Sequence, residues 1–279
     1  MLKFEIMGEN TIPEYLPHIF YNCYYQKVRE GESFAPSHVL SYTIAGQSDI
    51  TVGDKTFTMK AGDLFLYRRN QLGRYTKTPP PDGVYESVSI SLDEQTLRSL
   101  AAELHQEMDQ PWTGDTMLRL PVNAMLSNYI ESLKPYLNRN GDINPTLAAI
   151  KVKEAAMILL QLNPSLKNFL FDFSPPGKLD LEGFMNTHYK YNVDLNRFAY
   201  LTGRSLASFK RDFEKIFHAS PNKWLQQKRL QDAYYLLKEK GWRSSDVYLE
   251  VGFKDLSHFS FAFKKAFGIT PSHVGASRA

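Results

Sequence analysis

The last third of the chain contains an internal repeat, and this repeat constrains the fold more than any other feature of the sequence. At an offset of 50 residues, Leu206, Phe209, Phe213, Lys215, Phe217 and Pro221 recur as Leu256, Phe259, Phe263, Lys265, Phe267 and Pro271. Ser or Thr precedes each proline, which is typical of a capped helix start with proline in the first turn. Such self-similarity indicates one supersecondary unit that occurs twice.

Each copy has the parts of a helix-turn-helix, with a short helix, a turn that contains glycine, and a longer helix. The predicted helix caps and turn glycines are Asp194, Gly203 and Ser205 in the first copy, and Ser245, Gly252 and Asp255 in the second. The longer helices are predicted at about 205–217 and about 255–267. A helical hairpin used only for packing has the same parts, so this pattern alone leaves both interpretations open.

Helical periodicity assigns opposite roles to the two faces of the longer helices. One face of the first helix collects five apolar residues that are expected to be buried: Leu206, Phe209, Phe213, Ile216 and Phe217. The opposite face is predicted to be small, basic and free of carboxylates, which suits approach to phosphates and base edges in a major groove. The candidate DNA contacts are Ser205, Ala207, Ser208, Lys210, Arg211 and Lys215, and in the second copy Ser257, His258, Ser260, Phe261, Lys264 and Lys265.

One helix of about 20 residues is predicted between the copies, starting at PNKWLQQKRL and ending before Gly241. It would span ~30 Å, close to the ~34 Å of one DNA turn, so one chain could place both recognition helices in successive major-groove segments. The charge distribution agrees with this hypothesis. From Lys178 onward, 17 basic residues stand against 10 acidic ones, a net +7, whereas the rest of the chain carries −4. The C-terminal third therefore favours a polyanionic partner.

The run from Asp194 to Val274 resembles the AraC/XylS transcription regulators, through GFKDLSHFSFAFKKAFGITP (252–271) and LQQKRLQDAYYLL (225–237). The resemblance implies a sequence-specific regulator that binds double-stranded DNA and, if it is an activator, RNA polymerase. Most members carry a basic residue where this chain has Phe261. More loosely, TFTMKAGDLFLYRRNQ (56–71) resembles the family's cupin-like sensor domain. It is closest to a subgroup that includes activators of type III secretion, whose sensor domains can be controlled by protein partners.

The N-terminal region is predicted to be a β-barrel or jelly roll. Short segments rich in β-branched and aromatic residues lie at 38–46, 49–53, 56–59, 63–67 and 84–91, and their close spacing indicates antiparallel hairpins. The pattern becomes helical from about residue 93, where Asp93 is predicted to cap the first helix. The predicted fold class is therefore α+β, with a cupin-like sensor and dimerisation domain at 1–163, a linker at 164–177 and a double helix-turn-helix domain at 178–279.

The last helix of the N-terminal region is predicted to start at Pro145, capped by Asn144. It carries an apolar stripe of Ala148, Val152, Ala155, Leu159 and Leu162. Such a stripe packs either against the preceding helix or against a second copy of the chain. The second alternative makes it a candidate dimer seam, and a homodimer is expected.

A jelly roll also raises the alternative of a metal-dependent cupin enzyme, which needs clustered His and carboxylate ligands. Here His38 stands alone, and His18 and His105 lack ligand spacing. The sequence therefore predicts no metal site, no cofactor and no catalytic residue. A small-molecule effector or a regulatory protein could instead act on this domain. Candidate pocket residues are Tyr21, Tyr24, Tyr25, Tyr42, Phe65 and Tyr67, and Arg68-Arg69-Asn70 is a candidate acidic-ligand contact or a solvated strand end.

The single cysteine, Cys23, rules out an internal disulfide and suits a reducing compartment. The sequence shows neither a secretory signal pattern nor an apolar run of ~18 residues, so a cytoplasmic protein without a membrane span is expected. The favoured hypothesis is a transcription regulator, either an activator or a repressor. The alternatives are the cupin-type enzyme and a helical adaptor that binds only protein.

Overall fold

The computed structural model describes residues 18–137 and 143–276. Its N-terminal part contains two antiparallel β-sheets that share a core. The first sheet has five strands, in the order β1 (His18–Tyr24), β8 (Tyr85–Leu92), β3 (His38–Ala45), β6 (Leu64–Tyr67) and β9 (Met117–Leu120). The second has four, in the order β2 (Val28–Ala35), β7 (Gln71–Thr78), β4 (Gln47–Val52) and β5 (Lys55–Lys60).

The pairing register explains why the first sheet is buried on both faces. Leu40 of β3 pairs with Ile90 of β8 and with Leu66 of β6, and all three side chains are buried. Successive residues of a strand point to opposite faces, and Phe65 accordingly points to the other side. There it packs with Ile50 of the second sheet, along with Met59 and Met117. The predicted jelly roll is confirmed as a two-sheet sandwich.

Helices cover the outer face of the first sheet. They are α1 (Glu94–Leu104), α2 (Ala124–Leu133), α3 (Pro145–Leu162) and α4 (Lys167–Leu170). Asp93 caps α1 by accepting from the Thr96 N–H, and Asn144 caps α3, whose first residue is a proline. Both caps agree with the sequence pattern, since their side-chain oxygens satisfy amide groups that lack helical partners.

The apolar stripe of α3 belongs to the core of the chain itself. Ala148, Val152, Ala155 and Leu159 are at most 1% exposed, and the last three pack with α1, α2 and the first sheet, whereas Leu162 is 41% exposed. Four of the five candidate seam residues are thus unavailable to a second copy. The dimer-seam interpretation of this stripe was wrong because the stripe faces its own domain.

The segment 164–177, predicted to be a linker, begins with residues that pack beside α3. Leu166, Phe169, Leu170 and Phe171 are buried in the same core as α3. A single turn of 3-10 helix (Pro164–Leu166) leads directly into α4.

The C-terminal part is helical. Its elements are α5 (Leu181–His188), α6 (Leu195–Leu201), α7 (Leu206–Phe217), α8 (Pro221–Lys238), α9 (Ser244–Glu250), α10 (Leu256–Phe267) and α11 (Pro271–Ala276). The α8 helix runs between two cores, with Leu225 in the core around α6 and α7, and Leu230, Ala233 and Leu237 in the core around α9 and α10. Within the described ranges, none of the helices is both long enough and apolar enough to cross a bilayer.

Candidate nucleic-acid interface

The first helix-turn-helix consists of α6 and α7. Asp194 caps α6, Gly203 adopts a left-handed conformation in the turn, and Ser205 caps α7 by accepting from the Ser208 N–H. Phe209 and Phe213 of α7 are fully buried, as predicted. The prediction from helical periodicity that Ile216 is buried was wrong. Its side chain is 39% exposed because it lies at the edge of the apolar stripe near the helix end.

The outward face of α7 carries the candidate DNA contacts. Ala207, Lys210, Arg211 and Lys215 are exposed, and Ser208 is half-buried. The face is not free of carboxylates, contrary to the prediction. Asp212 lies beside Arg211, with a carboxylate oxygen 3.9 Å from Nε, and its main partner is Arg204 at 3.1 Å. The hydrogen bond from Arg204 holds the pKa of Asp212 below its ordinary value, so Asp212 stays charged and is held mainly by Arg204.

The second helix-turn-helix consists of α9 and α10. Arg243, rather than the predicted Ser245, stands at the N-cap of α9, because the helix starts one residue before Ser245. Asp255 caps α10 as predicted, accepting from the His258 N–H. Ser257, His258, Phe261, Lys264 and Lys265 are exposed and Ser260 is half-buried. Phe261 is 70% exposed although Phe259 and Phe263 on either side are fully buried.

The two recognition helices lie at either end of α8. At ~1.5 Å per residue, its 18 residues span ~27 Å. Trp224, near the start of α8, packs against Phe217, with ring centroids 4.5 Å apart. Tyr234, two-thirds of the way along, packs against Phe267 at 4.9 Å. Equivalent phenylalanines of the repeat thus meet one aromatic residue each from α8.

The second sheet contacts the helix-turn-helix units directly, which the sequence did not predict. Arg74 of β7 forms an ion pair with Glu250 of α9, with Nη1 and Oε1 3.3 Å apart, and its guanidinium lies over the ring of Tyr191. The Tyr191 hydroxyl donates to the Thr51 carbonyl at 3.3 Å. Leu72 is buried in the core of the first unit. No local pattern marks these residues, since Arg74 and Glu250 are 176 positions apart.

The isolated histidine of the sandwich is a structural residue. His38 is 2% exposed, its Nδ1 accepts from the Arg69 backbone N–H at 3.2 Å, and its ring packs against Phe169. Burial, together with the neighbouring Arg69 and Arg68, lowers the pKa of His38 to about 3. His105 lies at the exposed end of α1, and the side chain of His18 lies outside the described residues. In the described part of the chain, no group of three or more His, Cys, Asp or Glu residues is arranged to hold a metal ion.

The candidate effector residues do not share one pocket. Phe65 and Tyr67 lie between the two sheets, Tyr42 packs against the helical side of the first sheet, and Tyr21 and Tyr25 are exposed. Tyr24 contacts the ammonium group of Lys77, 4.7 Å from the ring centroid. The two arginines at the end of β6 form ion pairs, Arg68 with Asp172 at 2.6 Å and Arg69 with Glu94 at 2.7 Å. Arg69 therefore joins the strand end to α1, and Arg68 joins it to the segment that follows α4, so the two arginines are not a solvated strand end.

Two helix-turn-helix units with exposed recognition faces, joined to a β-sandwich, define a bipartite DNA-binding protein with an additional domain. Residues 198–277 match the family described as "Helix-turn-helix domain", and residues 38–170 match "ExsA N-terminal regulatory domain". The chain belongs to the AraC/XylS family of DNA-binding transcription regulators.

Characterised relatives align along most of the chain. The HTH-type transcriptional regulator ExsA of Pseudomonas aeruginosa is 26% identical over 233 residues, which cover 82% of each chain. The virulence regulon transcriptional activator VirF of Yersinia enterocolitica is 26% identical over 245 residues, which cover 83% of this chain and 86% of that one. Among solved structures, a variant of ToxT from Vibrio cholerae has a TM-score of 0.46 at 12% identity, covering 92% of this chain and 96% of that one.

Proposed function

We propose that this regulator places α7 and α10 in successive major-groove segments on one side of a DNA duplex. The observation that carries this proposal is the position of two exposed, basic recognition faces at the ends of one α8 helix ~27 Å long. The twelve candidate residues would divide into two groups. Arg211 and His258 face base edges, whereas Lys215, one turn after Arg211, and Lys265, two turns after His258, face phosphates.

Binding of the full-length protein to duplex DNA at several salt concentrations tests this proposal. Phosphate contacts release counterions, so log K should fall linearly with log[salt], by ~0.9 for each phosphate contacted. A two-site duplex should bind more tightly than duplexes with either half scrambled, and Lys215→Ala should lower the slope by ~1. Exposed Lys223, at the first turn of α8, offers a charge-matched comparison. Binding that is insensitive to salt, or equal on intact and scrambled duplexes, would contradict the proposal.

The proposed direction of regulation is activation, with RNA polymerase as the partner. This part rests on the relatives, one of which is named a transcriptional activator. Transcription from a promoter carrying the selected site, with and without the protein, measures it. Repression on that template would contradict an activating role.

The β-sandwich is proposed to be a regulatory domain that acts by binding and not by catalysis. It is proposed to extend to Asp172, with a short joint before the DNA-binding domain begins at Lys178. Support comes from the contact of Arg74 with Glu250, through which a change in the second sheet would reach α9. A separate cleft of about 440 Å³ between the sandwich domain and α6, lined by Arg69, Glu94 and Arg197 among others, is the proposed site for a polar effector. A regulatory protein that covers the second sheet would act on the same contacts.

A further inference from the structure

The segment Tyr189–Tyr191, which joins α5 to α6, is held by one side chain of α8. Arg229 donates from Nε to the Tyr189 carbonyl at 2.8 Å and from Nη2 to the Tyr191 carbonyl at 2.9 Å. One guanidinium thus bridges two carbonyl groups two residues apart. We call this segment the 189–191 strap. It lies immediately before the first helix-turn-helix, because α6 begins at Leu195.

The middle carbonyl of the 189–191 strap touches the second unit. A Cβ atom on Gly252 would lie 2.2 Å from the Lys190 carbonyl oxygen and 3.1 Å from Nε of Arg229. Gly252 also has a φ of +90°, in the region that favours glycine. Both constraints select glycine at this position. Gly252 forms the turn between α9 and α10, so the turn of the second unit packs directly against the 189–191 strap of the first unit.

Further contacts hold the 189–191 strap on α8. The Tyr189 hydroxyl donates to the carboxylate of Asp232, and Nζ of Lys190 lies 3.5 Å from the same carboxylate. Asp232 follows Arg229 by three positions, so both project from neighbouring turns of one helix face. Tyr189 and Tyr191 are 8% and 5% exposed. The strap is therefore a buried junction where α6, α8 and the α9–α10 turn meet.

We infer that Arg229 and Gly252 are positioning residues that fix the orientation of α10 relative to α7, and hence the half-site spacing that the protein recognises. The inference rests on the proposed binding of both helices to DNA. Without this junction the units would be joined through their separate packing on α8 and through Arg74, which contacts both Glu250 and Tyr191. A small rotation about α8 would then displace α10 in its groove. Arginine suits the junction because its planar fork can donate to two acceptors at once, which a lysine ammonium cannot do in that geometry.

Two variants and one matched control test the inference. Arg229→Lys keeps the charge but loses the bidentate bridge, and Gly252→Ala introduces the 2.2 Å contact. Gly268→Ala is the control, because Gly268 lies at the end of α10 with a φ of +75° but has no atom within 4 Å of an added Cβ. It shares the backbone strain of Gly252→Ala without the close approach to the strap.

The DNA readout compares duplexes whose half-sites are moved apart or together by one base pair, a rotation of ~35°. The wild type and Gly268→Ala should prefer the native spacing. Rigid coupling of two DNA-binding elements raises the affinity by orders of magnitude, because the second element then binds intramolecularly. In Arg229→Lys and Gly252→Ala, the ratio of affinities for native and shifted spacing should therefore fall by ~10-fold or more. Their affinity for a single half-site should remain unchanged. A variant that weakens every duplex equally, or retains the wild-type spacing preference, would overturn the inference.

A distance measurement without DNA separates this inference from the proposed function. Spin labels at Glu214→Cys on α7 and Lys264→Cys on α10 occupy equivalent, exposed repeat positions, in a Cys23→Ser background. The wild type should give one narrow distance distribution, and Arg229→Lys a broad or shifted one, at a temperature where thermal unfolding shows both proteins fully folded. An identical distribution in both proteins would refute the role of Arg229, whether or not either protein binds DNA. Because Arg229→Lys adds no atom to the junction, the test does not depend on Gly252→Ala being able to fold.

Discussion

Phe261 allows a sharp test of how the two recognition helices divide sequence recognition. Its side chain is 70% exposed on α10, at the repeat position that Arg211 occupies on α7. A phenyl ring donates no hydrogen bond, so in a major groove it can contact only a thymine methyl group or sugar edges. We therefore expect Phe261→Ala to weaken binding at thymine-containing positions of one half-site while it leaves the fold intact.

The exposure sets the size of both effects. A phenylalanine side chain has ~200 Å² of surface, so ~140 Å² is open to solvent in the free protein. At ~25 cal/mol per Å², covering half of the open area on DNA contributes ~2 kcal/mol, or ~20- to 30-fold in affinity. The covered remainder of ~60 Å² contributes at most ~1.5 kcal/mol to folding. The fully buried Phe259 is the control, because its replacement by alanine should cost ~3–5 kcal/mol.

The assay selects duplexes from a random pool with the wild type, Phe261→Ala and Arg211→Ala, and measures thermal unfolding of each. Arginine can bond guanine at two atoms, so Arg211→Ala should cost ~1–3 kcal/mol and relax base preference in one half-site. Phe261→Ala should lose a similar ~2 kcal/mol of affinity but relax base preference less, in the other half-site, because an apolar contact distinguishes bases only through the thymine methyl group. The reverse ranking would refute this division, as would a Phe261→Ala protein that loses as much stability as Phe259→Ala.

Two further predictions concern the β-sandwich domain. The pKa of His38 is about 3 in the folded protein and ~6.5 in the unfolded chain. Between these two pH values the unfolded chain therefore binds one proton more than the folded protein. The free energy of unfolding should fall by up to ~1.4 kcal/mol for each pH unit below 6.5. His38→Gln should flatten this slope in urea unfolding between pH 6.5 and 5, and an unchanged slope would contradict it. Ile150 and Met157 are 55% and 50% exposed on the outer face of α3, where a second copy of the chain can contact them. The double variant Ile150→Asp, Met157→Asp should therefore convert a dimer to a monomer in sedimentation, at unchanged melting temperature. Exposed Gln161→Asp is the control, and a wild type that is monomeric throughout would count against this face.

The sequence predicted those parts of the fold whose cause is local. Asp93, Asn144, Asp194 and Asp255 cap helices as expected, since a cap needs only a short side chain and the next three amides. Four strands were missed. β7, with the sequence QLGRYTKT, is an example: it alternates weakly and carries charged and hydroxyl side chains. It is held in place by pairing with β2 and β4, which no short window of sequence contains.

The candidate DNA-binding surface was likewise predictable only where its cause is local in the sequence. The repeat placed the outward faces of α7 and α10, because helical periodicity separates buried from exposed positions within twelve residues. It did not predict Arg229 or the 189–191 strap, although Arg229 lies in the stretch that marked the family. Arginine on a helix is usually solvated, and only the fold shows that this one faces two carbonyl groups.

The two copies of the repeat differ at the turn, and the difference follows from what each turn touches. With the offset of 50 residues, Gly203 aligns with Phe253 and Gly252 with Thr202, so the turn glycines are one position out of register. A Cβ on Gly203 would lie 2.6 Å from the Gly177 carbonyl carbon, whereas one on Gly252 would lie 2.2 Å from the Lys190 oxygen. The turn of the first unit thus rests on the segment that arrives from the β-sandwich, and the turn of the second rests on the first unit. Each unit is positioned by the part of the chain that precedes it, so a displacement at Gly177 would reach α7 directly and α10 through α8 and the junction of Arg229 with Gly252.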